Sequence, residues 1–541
     1  MDTTVDRARA AVTATGVVPV AFLAVFFAYP LWSILDRGLG DGAITDALDR
    51  AGWLDVLWFT LWQAAVSTLL TLLVGLPAAW AIARVEFPGR RALRALMLVP
   101  FVLPTLVVGA ALRAVFERFG LDSGALRLQD TVWAILIAHV VFNVAVIVRI
   151  VGGYWALLDR RAVEAARVLG ASRLRVAREV TLPHLAPALW SASAIVFLFC
   201  FTSFGVILTV GGPGNPTLET EIWRYATQRT DFATAAALAI VQLVFVVALV
   251  IAGTVLERRA SGVARARRAA PPRRPRGIRQ RLALVTALVP ALVLVALPIT
   301  VLVERSLDTG DGYGFGNYRA LAERNELGLF VPPLEAVGNS LLYALAAMLI
   351  AVTVGAIASI VVVHGRRAPA RLLDVALMVP LGTSAVTLGF GVLLALDTPP
   401  LDLRSSRAIV PVVQALVGIP FVVRSMVPVL RAVDPRLRDA AKVLGASPAR
   451  SRLEVDVPIA ARALLVGAAF SFASSLGEFG ATTFLARPDA PTVPVAMFRM
   501  LGQPGAALRG QAMALGVILA ALTAASVLVI ERLRPKDALG W

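Results

Sequence analysis

Cysteine occurs once in this chain, at Cys200, and histidine three times, at His139, His184 and His364. A single thiol excludes an intrachain disulfide framework, and three scattered histidines give no metal-ligand spacing. Charge is also scarce: 16% of the 541 residues are Asp, Glu, Lys or Arg, against about a quarter in an ordinary soluble domain. Acids are the scarcer kind, 35 against 52 basic residues, for a formal net charge of +17. No Gly-x-x-x-x-Gly-Lys-Ser/Thr phosphate loop is present, so ATP hydrolysis of that kind would need another polypeptide. No His, Asp or Glu cluster in the apolar runs suits metal or acid–base catalysis, which leaves a membrane enzyme unsupported.

Apolar sequence is abundant. Hydrophobic residues make up 58% of the chain, and mean hydropathy is +0.77. Lipid offers backbone groups no partner, so long apolar runs must be helical, and crossing takes roughly 20 residues. Six runs lie near 17–36, 56–82, 95–115, 132–152, 186–210 and 233–256; six more lie near 282–303, 337–363, 372–396, 408–428, 461–485 and 510–530. The first follows Arg7 and Arg9 as a signal sequence would. It is long enough to span and lacks a small-x-small cleavage site, so it reads as a retained span. The expected fold is an all-α membrane protein of about twelve transmembrane helices.

Most Lys and Arg fall in alternate loops, which places both termini in the cytoplasm. This bias accounts for the basic charge without nucleic acid. The stretch 257–281, ERRASGVARARRAAPPRRPRGIRQR, has no apolar face. It reads as a cytoplasmic linker between halves 1–256 and 282–541, attracted to anionic lipid.

The halves repeat. Asp159, Gly170 and Pro183 recur 275 residues later as Asp434, Gly445 and Pro458, and Phe204-Gly205 recurs as Phe479-Gly480. Pro100 and Gly109 match Pro380 and Gly389 at an offset of 280. An even number of spans per half leaves the copies in the same orientation, as two parallel six-helix repeats. Pro100, Pro104, Gly109, Pro380, Gly382, Gly389 and Gly391 suit either helix breaks on a substrate path or ordinary kinks, with kinks the expectation.

Between the fourth and fifth runs lie two matched polar loops, DRRAVEAARVLGASRLRVAREVTLP at 159–183 and DPRLRDAAKVLGASPARSRLEVDVP at 434–458. Asp159 and Asp434 are good helix N-caps, and Pro435 suits the first helical position. Gly170 and Gly445 suit a left-handed helix end. Ser172 and Ser447 then cap a second short helix, and Pro183 and Pro458 mark entry to the next span. The expected result is a helix–turn–helix elbow at the membrane face. Identical spacing in two otherwise divergent copies argues against a merely solvated loop.

The spacing resembles the signature loop of type I ABC importer permeases. The first copy matches through Glu164, Ala165, Ala166, Gly170, Val180, Leu182 and Pro183, and the second through Ala440, Ala441, Gly445, Val455 and Pro458. It departs at Asp439, where the family usually has Glu, and at Val457, where it usually has Leu. The resemblance implies that both elbows, including Asp439, couple to two copies of a separate ATP-binding subunit that holds ATP and Mg, with no cofactor on this chain. It also implies an extracytoplasmic substrate-binding protein and residence in the bacterial inner membrane. The fused layout is similar to the ferric-iron and thiamine branch, and 475–502 also resembles sulfate and molybdate relatives.

Glu478 lies in an apolar run beside Ser474 and Ser475, and its counterpart in the first half is Ser203. An ionisable group at bilayer depth costs about 2.5–3.5 kcal/mol on insertion scales and usually faces a cavity or partner. These four residues are the candidate substrate pathway, and a carboxylate there suits a cation. A position at the outer headgroup level, or a docking role, fits Glu478 equally. The rival class is a self-contained twelve-helix secondary transporter, which has no need of two matched elbows.

Overall fold

The computed structural model describes residues 10, 12–40, 44–260, 272–323, 331–397, 402–403 and 406–533. Arg7, Arg9, the 261–271 part of the linker and the 534–541 tail lie outside the described residues. Among the described residues the chain is helical, with two isolated bridge pairings, Val85 with Arg273 and Asp308 with Tyr313.

The first half supplies α1 (Val12–Leu39), α2 (Trp53–Arg84), α3 (Arg90–Val102), α4 (Thr105–Arg118) and α5 (Val132–Leu157). It continues with α6 (Arg160–Val168), α7 (Arg173–Phe201), α8 (Gly205–Val210), α9 (Leu218–Thr227) and α10 (Phe232–Ala260). The second half supplies α11 (Gly277–Leu307), α12 (Pro333–His364), α13 (Arg367–Gly382), α14 (Ala385–Ala395) and α15 (Ile409–Ala432). It ends with α16 (Pro435–Val443), α17 (Arg452–Leu476), α18 (Thr482–Leu485), α19 (Val493–Leu501) and α20 (Ala506–Leu533).

Among the described residues, ten helices are long and apolar enough to cross a membrane, and α13 with α14 makes an eleventh if that bent pair is one span. The twelve runs of the sequence differ from this count at the third run of each half. There Pro104 and Gly382 stand at breaks, not the kinks expected, while Pro100, Gly109, Pro380, Gly389 and Gly391 lie inside helices. Leu103, before Pro104, takes an extended ψ of 141°, because proline's ring disfavours the helical region for its predecessor. In the second copy the chain turns through 100° between α13 and α14, and Ser384 caps the new start by accepting from the Val386 N–H at 3.1 Å.

Packing groups the chain into two compact units. One holds 48–221 and 241–305; the other holds the described residues of 1–47, 222–240 and 306–540. The packing boundary therefore differs from the repeat boundary at 257–281. In the first unit Leu284, Ala287, Leu288 and Ala291 of α11 share a core with Ala78, Ala81 and Ile82 of α2 and Val144 of α5. In the other, Val12, Leu23 and Phe27 of α1 share a core with Ala347, Ala351 and Ala358 of α12 and Ile419 of α15. Each half's central helix pair is thus covered by the other half's first span. Small faces permit this, since association in lipid depends on close contact. A Cβ on Gly75 would lie 2.8 Å from Ile147, and one on Gly355 would lie 2.8 Å from Val422, the same pair 280 and 275 residues on.

Candidate functional site

The two elbows have nearly the same backbone. Asp159 accepts from the Arg161 N–H and Asp434 from the Arg436 N–H, both at 2.9 Å. These caps start α6 and α16. Both helices end at a glycine of positive φ, +83° at Gly170 and +82° at Gly445. The Ala171 N–H then donates to Ala166 O, and the Ala446 N–H to Ala441 O, each at 3.0 Å. This six-residue closure needs the left-handed residue, which glycine adopts without a Cβ penalty. Ser172 accepts from the Arg175 N–H at 3.3 Å and Ser447 from the Arg450 N–H at 3.2 Å.

Glu164, Ala165, Asp439 and Ala440 are exposed, while Ala166 and Ala441 are half-buried. Pro183 and Pro458 are exposed too, but they do not separate a short helix from the next span as the sequence suggested. α7 runs unbroken from Arg173 to Phe201. A π-turn at Ala177–Thr181, repeated at Arg452–Asp456, precedes each proline. The wider turn shifts the hydrogen-bond register, so the missing proline N–H is not required.

The sequence reading missed the apolar tips. Val168 and Leu169 are 88% and 86% exposed, and Val443 and Leu444 are 87% and 88% exposed. Large apolar side chains held in matched pairs on a capped, rigid turn mark a surface built to be covered. The signal was present as Val-Leu-Gly-Ala-Ser in both copies.

The elbows differ at their roots. In the second, Asp456 is 2% exposed. It accepts from Arg438 Nε at 2.8 Å and lies 3.1 Å from His364 Nε2 at the end of α12. Arg438 also donates to Leu430 O at 3.1 Å, tying α16 to α15. At the same repeat positions the first elbow has Val163, Thr181 and Arg84. Arg84 donates to Leu158 O at 2.9 Å, and Arg273 from the linker pairs with Glu164 at 3.3 Å.

The candidate pathway residues sit at breaks in the fifth span. Ser474, Ser475 and Glu478 share the end of α17, where the Glu478 N–H donates to Ser475 O at 3.3 Å. Ser203 occupies the matching break between α7 and α8, in the other compact unit. The Glu478 carboxylate accepts from the Ala481 N–H at 2.7 Å and the Thr482 N–H at 3.0 Å. It caps α18, so its own backbone engages both oxygens. Gly389 of α14 allows this segment close approach, because a Cβ there would lie 2.6 Å from Ala481 Cα.

A bundle of broken membrane helices with two capped, apolar-tipped elbows fits a transport permease. This chain is a type I ABC importer permease with both halves fused, an integral membrane protein that forms the translocation pathway of the importer. Residues 71–262 match the family described as binding-protein-dependent transport system inner membrane component. The chain is similar along most of its length to the thiamine transport system permease protein ThiP of Brucella abortus, at 29% identity over 96% of this chain and 94% of that one. Similarity to ThiP of Escherichia coli is 27%, over 91% of this chain and 90% of that one. The sulfate transport system permease protein CysT of Salmonella typhimurium is 35% identical over 30% of this chain and 60% of that one.

Proposed function

We propose that the cargo is thiamine, delivered by an extracytoplasmic binding protein, and that two copies of a separate ATPase subunit dock on the 159–183 and 434–458 elbows. The elbows then face the cytoplasm together with both termini, as the placement of Arg supports. ATP and Mg are bound by the ATPase. Closure of its nucleotide sites draws the elbows together and opens the pathway toward the binding protein.

The observation that carries the cargo is the similarity to thiamine permeases through both halves. Similarity to the sulfate permease covers a third of the chain at most. Glu478 is not the basis of the cargo reading, since its carboxylate accepts two backbone N–H groups as a helix cap. The test is uptake of radiolabelled thiamine in cells lacking thiamine synthesis and their own thiamine permease. The chain is co-expressed with the binding protein and ATPase encoded beside it. Saturable uptake that disappears when the ATPase's phosphate-loop lysine is replaced is the expected result. Uptake of ferric iron or sulfate in place of thiamine would overturn the cargo, and uptake without any ATPase subunit would overturn the coupling.

A further inference from the structure

The first elbow borders an open cavity of about 750 Å³ at positions whose counterparts in the second elbow form a buried ion pair. Val163, Thr181 and Arg84 line it, and these are the repeat counterparts of Arg438, Asp456 and His364. The second elbow therefore places a buried carboxylate between two basic side chains. The first has a hydroxyl where that carboxylate belongs, and open space around it.

Its walls are strongly basic. Arg84, Arg167 and Arg173 come from the first half. Arg273, Arg274, Arg276 and Arg279 come from the returning linker, and Glu164 is the one carboxylate among these lining residues. The linker is pinned in place: the Arg273 N–H donates to Arg84 O, and the Glu86 N–H donates to Arg273 O, both at 3.0 Å. The start of α11 adds to the field. Its first turn carries no acid, although a helix N-terminus is ordinarily stabilised by negative charge and destabilised by clustered arginines. The indole rings of Trp80 and Trp155 complete the lining. The Glu164–Arg273 pair is exposed on both sides, so it holds weakly and yields to a stronger anion.

We propose that this cavity binds a phosphate-bearing anion, which does for the first elbow what Asp456 does for the second. A free phosphorylated solute and a phospholipid headgroup carry the same chemistry. Either would satisfy the arginines bidentately and the α11 N-terminus together. Occupancy makes the first elbow sensitive to a ligand at positions where the second carries its own carboxylate.

The test measures thermal unfolding of the full chain, purified without its ATPase so that no nucleotide site contributes. One arm adds inorganic pyrophosphate in neutral detergent. The other compares nanodiscs of phosphatidylcholine with nanodiscs containing one quarter phosphatidylglycerol. A rise of at least about 3 °C in either arm is expected, and the arm that responds identifies the source. The response should vanish in Arg274→Gln/Arg276→Gln/Arg279→Gln and persist in the corresponding lysine triple. It should also vanish in Val163→Arg/Thr181→Asp, which installs the second elbow's ion pair in the cavity and decides the matter if the glutamine triple does not fold. No rise in either arm, or an equal rise in Val163→Arg/Thr181→Asp, would overturn the proposal.

Discussion

The two elbows share caps, turn and tips, yet one is locked at its root and the other is open. α16 is tied to its membrane helices by Arg438, Asp456 and His364. The chain entering α6 is held to α2 through the Leu158 carbonyl, and α6 itself pairs with the linker at the surface. The repeat preserved the caps, the turn and the apolar tips and let the supporting contacts diverge. On the proposed coupling, the shared features are those a docked ATPase would use in both copies, and the rest belong to only one.

The comparison breaks hardest at the glycines. Gly170→Val with Gly445→Val forces a β-branched residue to positive φ at both turns, at about 1–2 kcal/mol each. Uptake should fall at least about tenfold while membrane insertion is unchanged. The two single variants should be equivalent, and normal uptake by the double variant would remove the elbows from the mechanism.

Asp456→Ala should be the most destabilising root substitution, by about 3–5 kcal/mol, because it leaves partly buried basic groups without their carboxylate. Thr181→Ala at the counterpart position should cost under about 1 kcal/mol. Equal shifts in thermal unfolding would erase the asymmetry. Glu478→Gln replaces a carboxylate that accepts two N–H groups, and should cost about 1–2 kcal/mol with the KM for cargo unchanged. A raised KM at unchanged stability would place Glu478 on the pathway.

Leu169→Ser and Leu444→Ser act on side chains 86% and 88% exposed, so the isolated chain should lose no more than about 0.5 kcal/mol. Each should weaken retention of the ATPase by about tenfold, as expected for losing one buried leucine at an interface. Unchanged co-purification would mean the tips are not covered. The smallest effect is expected from Glu164→Gln, below about 1 kcal/mol, because its pair with Arg273 is exposed.

Much of this protein was legible before any fold was known. Apolar runs dictate helices in lipid because nothing else satisfies the backbone there. The elbows were readable from Asp159, Gly170 and Ser172 and their copies, because caps and left-handed turns depend on local chemistry. The broken third runs were misread as kinks, although Leu103-Pro104 carried the information. Glu478 was left between a pathway carboxylate and an outer-level or docking group, because a sequence does not say which donors a carboxylate will meet.

The order of caps, spans and repeats followed from local chemistry and solvation, which act within a turn or two of helix. Tertiary packing alone decided that α1 joins the second half's core and α11 the first half's. It also decided that Asp456 meets Arg438 and His364 while Thr181 faces a basic cavity. Those contacts join residues up to hundreds of positions apart, and their strength depends on burial and distance, which no local pattern encodes.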